Sequence, residues 1–255
     1  MNIVELKKFR KKLKKNKPII SSWSQLSDPN LLEIYAVNKF DCLTLDFEHG
    51  LFDISSLPNL IRVAEKKRKI ILVRLPNKNQ EICRQVLDAG VDGIIIPNIQ
   101  NEVELEEIIN LSLLPPMGKR GIGFSRTNNF GKNFDKYINS NIQPIIIAMI
   151  EDYKALEKLD KILNVNNLDG ILIGPYDLSA SLNKPGNFST LEFKKTIKMI
   201  KQKCKTNKII CGMHQVEPDV KNLKKLVKEG YKFLPFSTDA FVMSRATEKL
   251  FKNKF

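Results

Sequence analysis

Eight short apolar runs alternate with amphipathic stretches along nearly the whole chain, and this alternation constrains the fold more than any other feature. Most of the runs are continuously apolar, such as Ile70-Ile71-Leu72-Val73, which is typical of strands that are covered on both faces. The predicted strands are Pro18–Ser22, Cys42–Asp46, Ile70–Arg74, Gly93–Pro97, Pro144–Ile150, Gly170–Ile173, Ile209–Gly212 and Lys232–Phe236.

The stretches between the strands carry helical spacing and recognisable end signals. Asp28-Pro29 predicts a helix start, and the glycines of Ala89-Gly90 and Glu229-Gly230 predict helix ends in the left-handed conformation. The predicted helices are Pro29–Val37, Leu57–Lys66, Gln80–Ala89, Glu102–Leu113, Tyr153–Leu163, Leu191–Lys205, Pro218–Glu229 and Ala240–Phe251.

Eight strand–helix units in 255 residues match an α/β fold of the (β/α)8 TIM barrel type. A doubly wound open sheet is the alternative, but it would leave strands over or require a second domain. We therefore predict one domain over residues 1–255, with a core at about 18–251. One long irregular stretch, Pro115–Asn141, is of a length that is usually functional or mobile.

The composition limits the binding partners and the cellular compartment that this protein can be expected to have. The formal net charge is +14, but the lysines are spread over most predicted helices and no aromatic residues interleave with them, so we expect a solvated surface and no nucleic acid. No apolar run approaches the roughly 20 residues of a membrane span, and the basic N-terminus lacks a following apolar segment. These features predict a cytoplasmic protein that binds no membrane, with reduced, structural cysteines at positions 42, 83, 204 and 211.

Chemically reactive residues follow the predicted strands. Asp46-Phe47-Glu48-His49-Gly50 ends an apolar strand in two acids and an imidazole, and the second of the two histidines, His214, also follows a strand. The residues at the other strand ends include Trp23, Arg74 and Asn98. Because the carboxyl ends of barrel strands meet at one mouth, these side chains are expected to share one site.

Two further acids, Glu151 and Asp177, follow neighbouring predicted strands. Each is also explained as a first-turn or capping acid of the helix that follows it. Their joint presence beside Glu48 and His49 favours metal ligation, because two carboxylates on adjacent strand ends can hold one hard divalent cation.

Several other residues keep more than one interpretation. Arg74 needs an anionic partner, either Asp46 or Glu48 or a substrate oxygen, and its position favours the substrate. Trp23 is a pocket residue or a core aromatic. Asp88 alone would be a surface residue of its helix, and the turn at Lys119-Arg120-Gly121 is an anion contact or a basic loop.

Taken together, these residues resemble the HpcH/HpaI aldolase family, the metal-dependent class II pyruvate aldolases. The ordered set is more specific than any of its members, and it covers roughly residues 18 to 245. The matching segments are Trp23, Asp46–Gly50, Val73–Pro76, Leu87–Gly93, Pro115–Gly121, Ile150-Glu151 and Leu168–Gly170 through Gly174–Ser179.

The resemblance implies a barrel that assembles as a homohexamer and acts with Mg²⁺, Mn²⁺ or Co²⁺. It implies that Glu151 and Asp177 are the metal ligands. It also implies that His49, paired with Asp88, is the base that acts through a metal-bound water. The implied substrate-binding residues are Trp23, Arg74, Gly174, Pro175, Tyr176 and Asp177.

The activity that follows from the resemblance is reversible cleavage of a 4-hydroxy-2-oxoacid into pyruvate and an aldehyde through a metal-stabilised pyruvate enolate. Met149 stands where the family commonly has glutamine, which leaves the aldehyde preference open. Asn98 and the segment Pro235–Asp239 also depart from the family pattern. The alternatives are an acyl-CoA lyase of the citrate-lyase β-subunit type and a barrel that binds anions without catalysis.

Overall fold

The computed structural model describes residues 3–15, 17–140 and 142–252. They form a closed barrel of eight parallel strands in which each strand pairs with the next along the chain and β8 pairs with β1. This confirms the predicted (β/α)8 barrel; the ends of the predicted domain, 1–2 and 253–255, lie outside the described residues. The strands are β1 (Ile19–Ser24), β2 (Cys42–Asp46), β3 (Ile70–Arg74), β4 (Gly93–Ile96), β5 (Ile145–Ile150), β6 (Gly170–Ile173), β7 (Ile210–Met213) and β8 (Phe233–Pro235).

Helices connect the strands and cover the barrel. Among the described residues they are α1 (Ile3–Lys14), α2 (Pro29–Ala36), α3 (Leu57–Lys66), α4 (Gln80–Ala89), α5 (Glu102–Ser112), α6 (Phe134–Ile138), α7 (Lys154–Glu157), α8 (Leu159–Leu163), α9 (Pro175–Ser181), α10 (Leu191–Thr206), α11 (Val220–Glu229) and α12 (Asp239–Lys252). Short 3₁₀ turns lie at Ile54–Ser56 and Arg126–Asn128.

The predicted helix ends are confirmed. The Asp28 side chain accepts hydrogen bonds from the backbone N–H groups of Asn30 and Leu31. Gly90 and Gly230 end α4 and α11 with φ values of 103° and 98°, which side chains with a Cβ rarely adopt. These local signals therefore set the lengths of three helices.

The amino end of the barrel is closed by α1, a helix that the strand–helix pattern did not predict. Its apolar residues Leu6, Phe9 and Leu13 are buried in the same cluster as the side chains inside the barrel. Arg10 fixes the helix because its guanidinium group donates to Asp169 and to the backbone carbonyl of Gln143. The opposite end of the barrel stays open.

The core has two layers because alternate side chains of a strand point to opposite faces. The interior layer contains Ile19, Leu72, Ile147 and Leu172 beside the α1 residues. A larger apolar layer fills the space between the strands and the helices. Because the interior is filled, a ligand can enter this barrel only at the mouth.

Two predictions about local structure need correction. The helix predicted at Tyr153–Leu163 is divided into α7 and α8, with Lys158 between them in a non-helical conformation. The described part of Pro115–Asn141 contains α6 and a 3₁₀ turn, and it connects α5 to β5 at the amino end of the barrel, away from the mouth. In the part of the chain that the structure describes, no helix has the length and apolarity of a membrane span.

Candidate active site

A cavity of about 540 Å³ opens at the mouth of the barrel. It receives side chains from both ends of the sequence because the closed barrel brings β1 next to β8. The residues predicted for the site that line it are Trp23, His49, Arg74, Gly174, Pro175, Tyr176 and Asp177. The structure thus brings together seven residues that come from four different strand ends.

The floor of the cavity is a buried ion-pair cluster around Arg74. Its Nε and Nη2 atoms donate to the two carboxylate oxygens of Asp46 at 2.8 and 2.6 Å. Its Nη1 lies 2.7 Å from Oε2 of Glu48. Asp46 and Arg74 are directly opposite each other in the β2–β3 register, so the strand pairing itself positions this bidentate pair.

The cluster fixes the charge of Asp46. Burial raises the pKa of this carboxyl, but the hydrogen bonds and positive charge of Arg74 outweigh burial and lower the pKa to about 2. The indole Nε1 of Trp23 donates to Asp46 at 3.1 Å, and the Arg74 guanidinium carbon lies 5.2 Å from the centroid of that ring. Trp23 is therefore both a buried core residue and a cavity residue.

Glu151 is the second ionisable group that the fold places in an unusual environment. It follows β5, and its side chain is only 6% exposed. Its Oε1 accepts a 2.7 Å hydrogen bond from the backbone N–H of Asn98, whereas its Oε2 is buried and has no hydrogen-bond partner. Burial, reinforced by the negative charges of Glu48 and Asp177, raises the pKa of Glu151 to about 7.

Asp177 lies in the first turn of α9, close enough for its charge to act on Glu151 and Glu48. Gly174 leaves room for the Glu151 carboxylate, since a Cβ at this position would lie 2.5 Å from Glu151 Oε2. Three acids thus repel each other around an unpaired carboxylate oxygen.

This donor set fits a hard divalent cation, which would favour the charged form of Glu151. Among the described residues no group of three or more His, Cys, Asp or Glu side chains is arranged as a complete cage. The protein would therefore supply only a few of the ligands, with Glu151 and Asp177 as the candidates. The remaining positions would be left to water or substrate oxygens.

Within one chain the structure does not bring His49 and Asp88 together. His49 follows β2 at the mouth, whereas Asp88 lies in the last turn of α4, which returns the chain to the amino end of the barrel. Asp88 forms an ion pair there with the buried Arg120, at 2.5 Å. The turn at Lys119-Arg120-Gly121 thus contacts an acid of its own chain.

Other cavity residues carried no sequence signal for a role. Gln25 lies just past β1, and its side-chain amide is 3.3 Å from Asp46. His214 follows a predicted strand, but its position alone indicates no role. The far wall comes from the loops after β7 and β8 and from the first turns of α12, and its side chains are too ordinary to be singled out: Val216, Thr238, Ala240, Phe241 and Ser244.

Comparisons with known proteins identify the family of this chain. The model of the family described as HpcH/HpaI aldolase/citrate lyase matches residues 20–246. A 5-keto-4-deoxy-D-glucarate aldolase of Citrobacter koseri is 32% identical over 244 residues, which cover 95% of this chain and 94% of the relative.

Two solved structures share the fold along nearly the whole chain. An HpcH/HpaI aldolase of Desulfitobacterium hafniense is 27% identical with a TM-score of 0.88, and the match covers 95% of each chain. A family protein of Burkholderia cenocepacia, 22% identical, has a TM-score of 0.90 and covers 96% of this chain and 98% of its own.

Proposed function

The chain belongs to the HpcH/HpaI aldolase/citrate lyase family, and from this premise we propose that it is a class II aldolase. Its reaction is the reversible cleavage of a 4-hydroxy-2-oxoacid into pyruvate and an aldehyde. The observation that carries the proposal is the buried carboxylate of Glu151, which has one oxygen unpaired and lies within electrostatic reach of Arg74 and Glu48.

Glu151 and Asp177 are the proposed ligands of a divalent cation, Mg²⁺, Mn²⁺ or Co²⁺. Such a cation, when bound, supplies Lewis-acid stabilisation of negative charge on the oxygens of the oxoacid. The unpaired Oε2 of Glu151 and its raised pKa support this role. Since every donor here is an oxygen atom, the site suits several hard cations.

Arg74 is proposed to hold the keto oxygen. A guanidinium group has five N–H bonds, and the contacts with Asp46 and Glu48 use three of them. The remaining two can donate to an oxygen at the cavity floor. Because both carboxylates hold the plane of the group, Arg74 would meet the developing enolate charge without reorganising.

His49 is the proposed base. In the cleavage direction it takes the proton of the C4 hydroxyl, the C3–C4 bond breaks, and the electrons of that bond form the enolate of pyruvate while the aldehyde carbonyl forms. A proton added at C3 then completes pyruvate. His49 lines the cavity and is exposed at its rim, where a proton can exchange with solvent.

Asp88 can pair with His49 only if it comes from another copy of the chain, because the two residues lie at opposite ends of one barrel. We therefore propose a homo-oligomer in which each mouth receives Asp88 of a neighbour. Coexpression of His49→Ala with Asp88→Ala is then expected to restore about a quarter of the wild-type activity, since half of the chains carry each intact residue.

The measurement is pyruvate release by the copurified mixture, compared with each variant alone. A mixture that is no more active than the better single variant would show that Asp88 does not complete a neighbour's site. Asp88→Ala with full activity would exclude any role for it in catalysis.

The direct test of the proposed function is pyruvate release from 4-hydroxy-2-oxohexanoate before and after chelation. We expect activity with Mn²⁺ or Co²⁺ and recovery of activity when metal is restored after EDTA. EDTA should lower the activity by about 100-fold or more, which is the usual effect of losing such electrostatic stabilisation. Activity that survives complete metal removal would refute the metal-dependent mechanism. Release of product from malyl-CoA or citramalyl-CoA, with none from the free acids, would instead identify an acyl-CoA lyase.

A further inference from the structure

His214 is a half-buried histidine of the cavity that the proposed mechanism does not use. It follows β7, and its ring centroid lies 4.4 Å from that of Trp23 at an interplanar angle of 33°. Trp23 in turn contacts both members of the Asp46–Arg74 pair. The imidazole therefore extends the cavity floor from the ion-pair cluster toward β7 and β8.

The ring has unused hydrogen-bonding capacity. Its Nε2 is shielded from solvent and has no hydrogen-bond partner among the described residues. The hydroxyl of Ser237, just past the neighbouring strand β8, is also buried and unpartnered. A buried polar atom left unpaired in a folded chain is costly unless a ligand or water completes its hydrogen bonding.

The imidazole carries no charge at neutral pH. Burial and the positive charge of Arg74 lower the pKa of His214 to about 4, although a backbone interaction with Ser237 and the charge of Asp46 oppose this. A neutral imidazole presents one donor and one acceptor. One ring nitrogen interacts with the Ser237 backbone, so Nε2 is left to accept a hydrogen bond, which a hydroxyl group can donate.

The cavity residues of a single chain have little to offer a second anion. Of the described residues that line it, Arg74 is the only lysine or arginine, and it is held by Asp46 and Glu48. Met149 replaces a polar side chain at the family's glutamine position and is buried at the cavity. The far wall, with Val216 and Phe241, is uncharged.

We propose that His214 is a specificity-determining residue that binds a hydroxyl group of the aldehyde portion, so that the enzyme takes an uncharged, hydroxylated aldehyde chain and not one that ends in a carboxylate. This inference rests on the proposed aldolase function and names the substrate class of the same site. The proposed substrate class differs from that of an enzyme for glucarate-type acids, which carry a carboxylate at each end.

The test compares three substrates that share the cleaved bond. They are 4,5,6-trihydroxy-2-oxohexanoate, the diacid 4,5-dihydroxy-2-oxohexanedioate, and 4-hydroxy-2-oxohexanoate, which lacks the distal hydroxyls. For the wild type we expect kcat/KM for the trihydroxy acid to exceed that for the diacid by about tenfold or more, because the diacid must place a carboxylate against a wall of this chain that has no free cation.

The variant His214→Phe keeps a ring against Trp23 but removes both nitrogens. It is expected to lower the kcat/KM ratio of the trihydroxy acid to 4-hydroxy-2-oxohexanoate by about 10- to 100-fold. His214→Gln keeps a donor and an acceptor and is expected to retain part of the ratio. It also serves as the test variant if His214→Phe does not fold, as judged by its thermal unfolding.

An unchanged ratio in both variants, or a wild-type preference for the diacid, would overturn the role of His214 while leaving the aldolase function intact. If the wild type with Mn²⁺ or Co²⁺ released pyruvate from none of the three acids, the aldolase function would fail, and this inference with it.

Discussion

Glu151→Gln is expected to abolish the response of the enzyme to metal and, at the same time, to stabilise the metal-free protein above pH 7. The amide keeps the oxygen that accepts the hydrogen bond from the Asn98 backbone but removes the charge. Pyruvate release with Mn²⁺ should fall by about 1000-fold, because the site loses one of its two proposed ligands and the electrostatic stabilisation that depends on it.

The gain in stability follows from the raised pKa of Glu151. An unfolded glutamate has a pKa of about 4.3, whereas burial raises that of Glu151 to about 7. The folded, metal-free protein therefore binds the extra proton, and its free energy of unfolding falls as the pH rises from about 4.3 through 7. The total fall is roughly 3 kcal/mol, and Glu151→Gln removes it.

Metal binding should follow the opposite trend in the wild type. A cation competes with the proton for the carboxylate, so its apparent affinity is expected to weaken by about tenfold per pH unit below pH 7. Above pH 7 the affinity should level off. Thermal unfolding with and without Mn²⁺ between pH 5 and 8 measures both effects.

Glu107→Gln is a matched control, because it removes the same charge from an exposed position on α5. It should leave the metal response and the pH profile unchanged. A Glu151→Gln protein whose melting temperature still rises with Mn²⁺ as in the wild type would rule out Glu151 as a ligand.

The barrel was predictable because its signals are local. Runs such as Ile145-Ile146-Ile147 can be buried on both faces only in a covered parallel strand, and eight of them fill a closed barrel. The helix α1 was not predicted because it lies outside the repeating strand–helix unit. Many lysines also stand between its apolar residues Leu6, Phe9 and Leu13 and obscure the helical pattern. The apolar face of α1 finds its partner only in the folded barrel, whose amino end it covers.

The strand ends placed Trp23, His49 and Arg74 at the mouth without any knowledge of contacts, since parallel strands deliver their carboxyl ends to one edge. The partners of these residues could not be derived in this way. The sequence offers Arg74 either an acid of its own chain or a substrate oxygen as partner, and only the structure shows that Asp46 and Glu48 both hold it. Asp88 was assigned to the site by resemblance, although the end of a returning helix lies at the opposite end of the barrel.

The charge state of His214 could not be predicted from the sequence either. A histidine after a strand does not disclose its protonation, which depends on burial, on the charges of Arg74 and Asp46 and on the Ser237 backbone. Residues of ordinary chemistry, such as Gln25 and Thr238, become cavity residues only through the β1–β8 closure. Specificity is thus the part of the site that required the folded chain.

Arg74→Lys is expected to lower kcat/KM for pyruvate release by about 1000-fold while leaving the barrel folded. Lysine keeps the positive charge but cannot bind both oxygens of Asp46 and also reach Glu48, as the guanidinium group does. The keto oxygen would then lose its oriented donors. Asp46 keeps a neighbouring cation in this variant, so the melting temperature should change little. The substitution should instead lower kcat.

Arg74→Met removes the cation altogether and is expected to be worse for folding. Asp46 would remain fully buried with an uncompensated charge, which costs about 3–5 kcal/mol of stability. In the wild type the pair contributes stability above a pH of about 4, and this contribution is lost as the pH falls through about 2. In the Met variant the pKa of Asp46 should rise, so that protonation partly restores its stability at acidic pH.

Arg84→Lys, an exchange at an exposed position on α4, is the matched control and should change neither kcat/KM nor the unfolding midpoint. Steady-state pyruvate release and thermal unfolding from pH 3 to 8 separate the two effects of Arg74. If Arg74→Lys retained wild-type kcat/KM, the geometry of the guanidinium group would be irrelevant to catalysis. Charge alone would then explain Arg74, because lysine supplies the same charge without the planar set of donors.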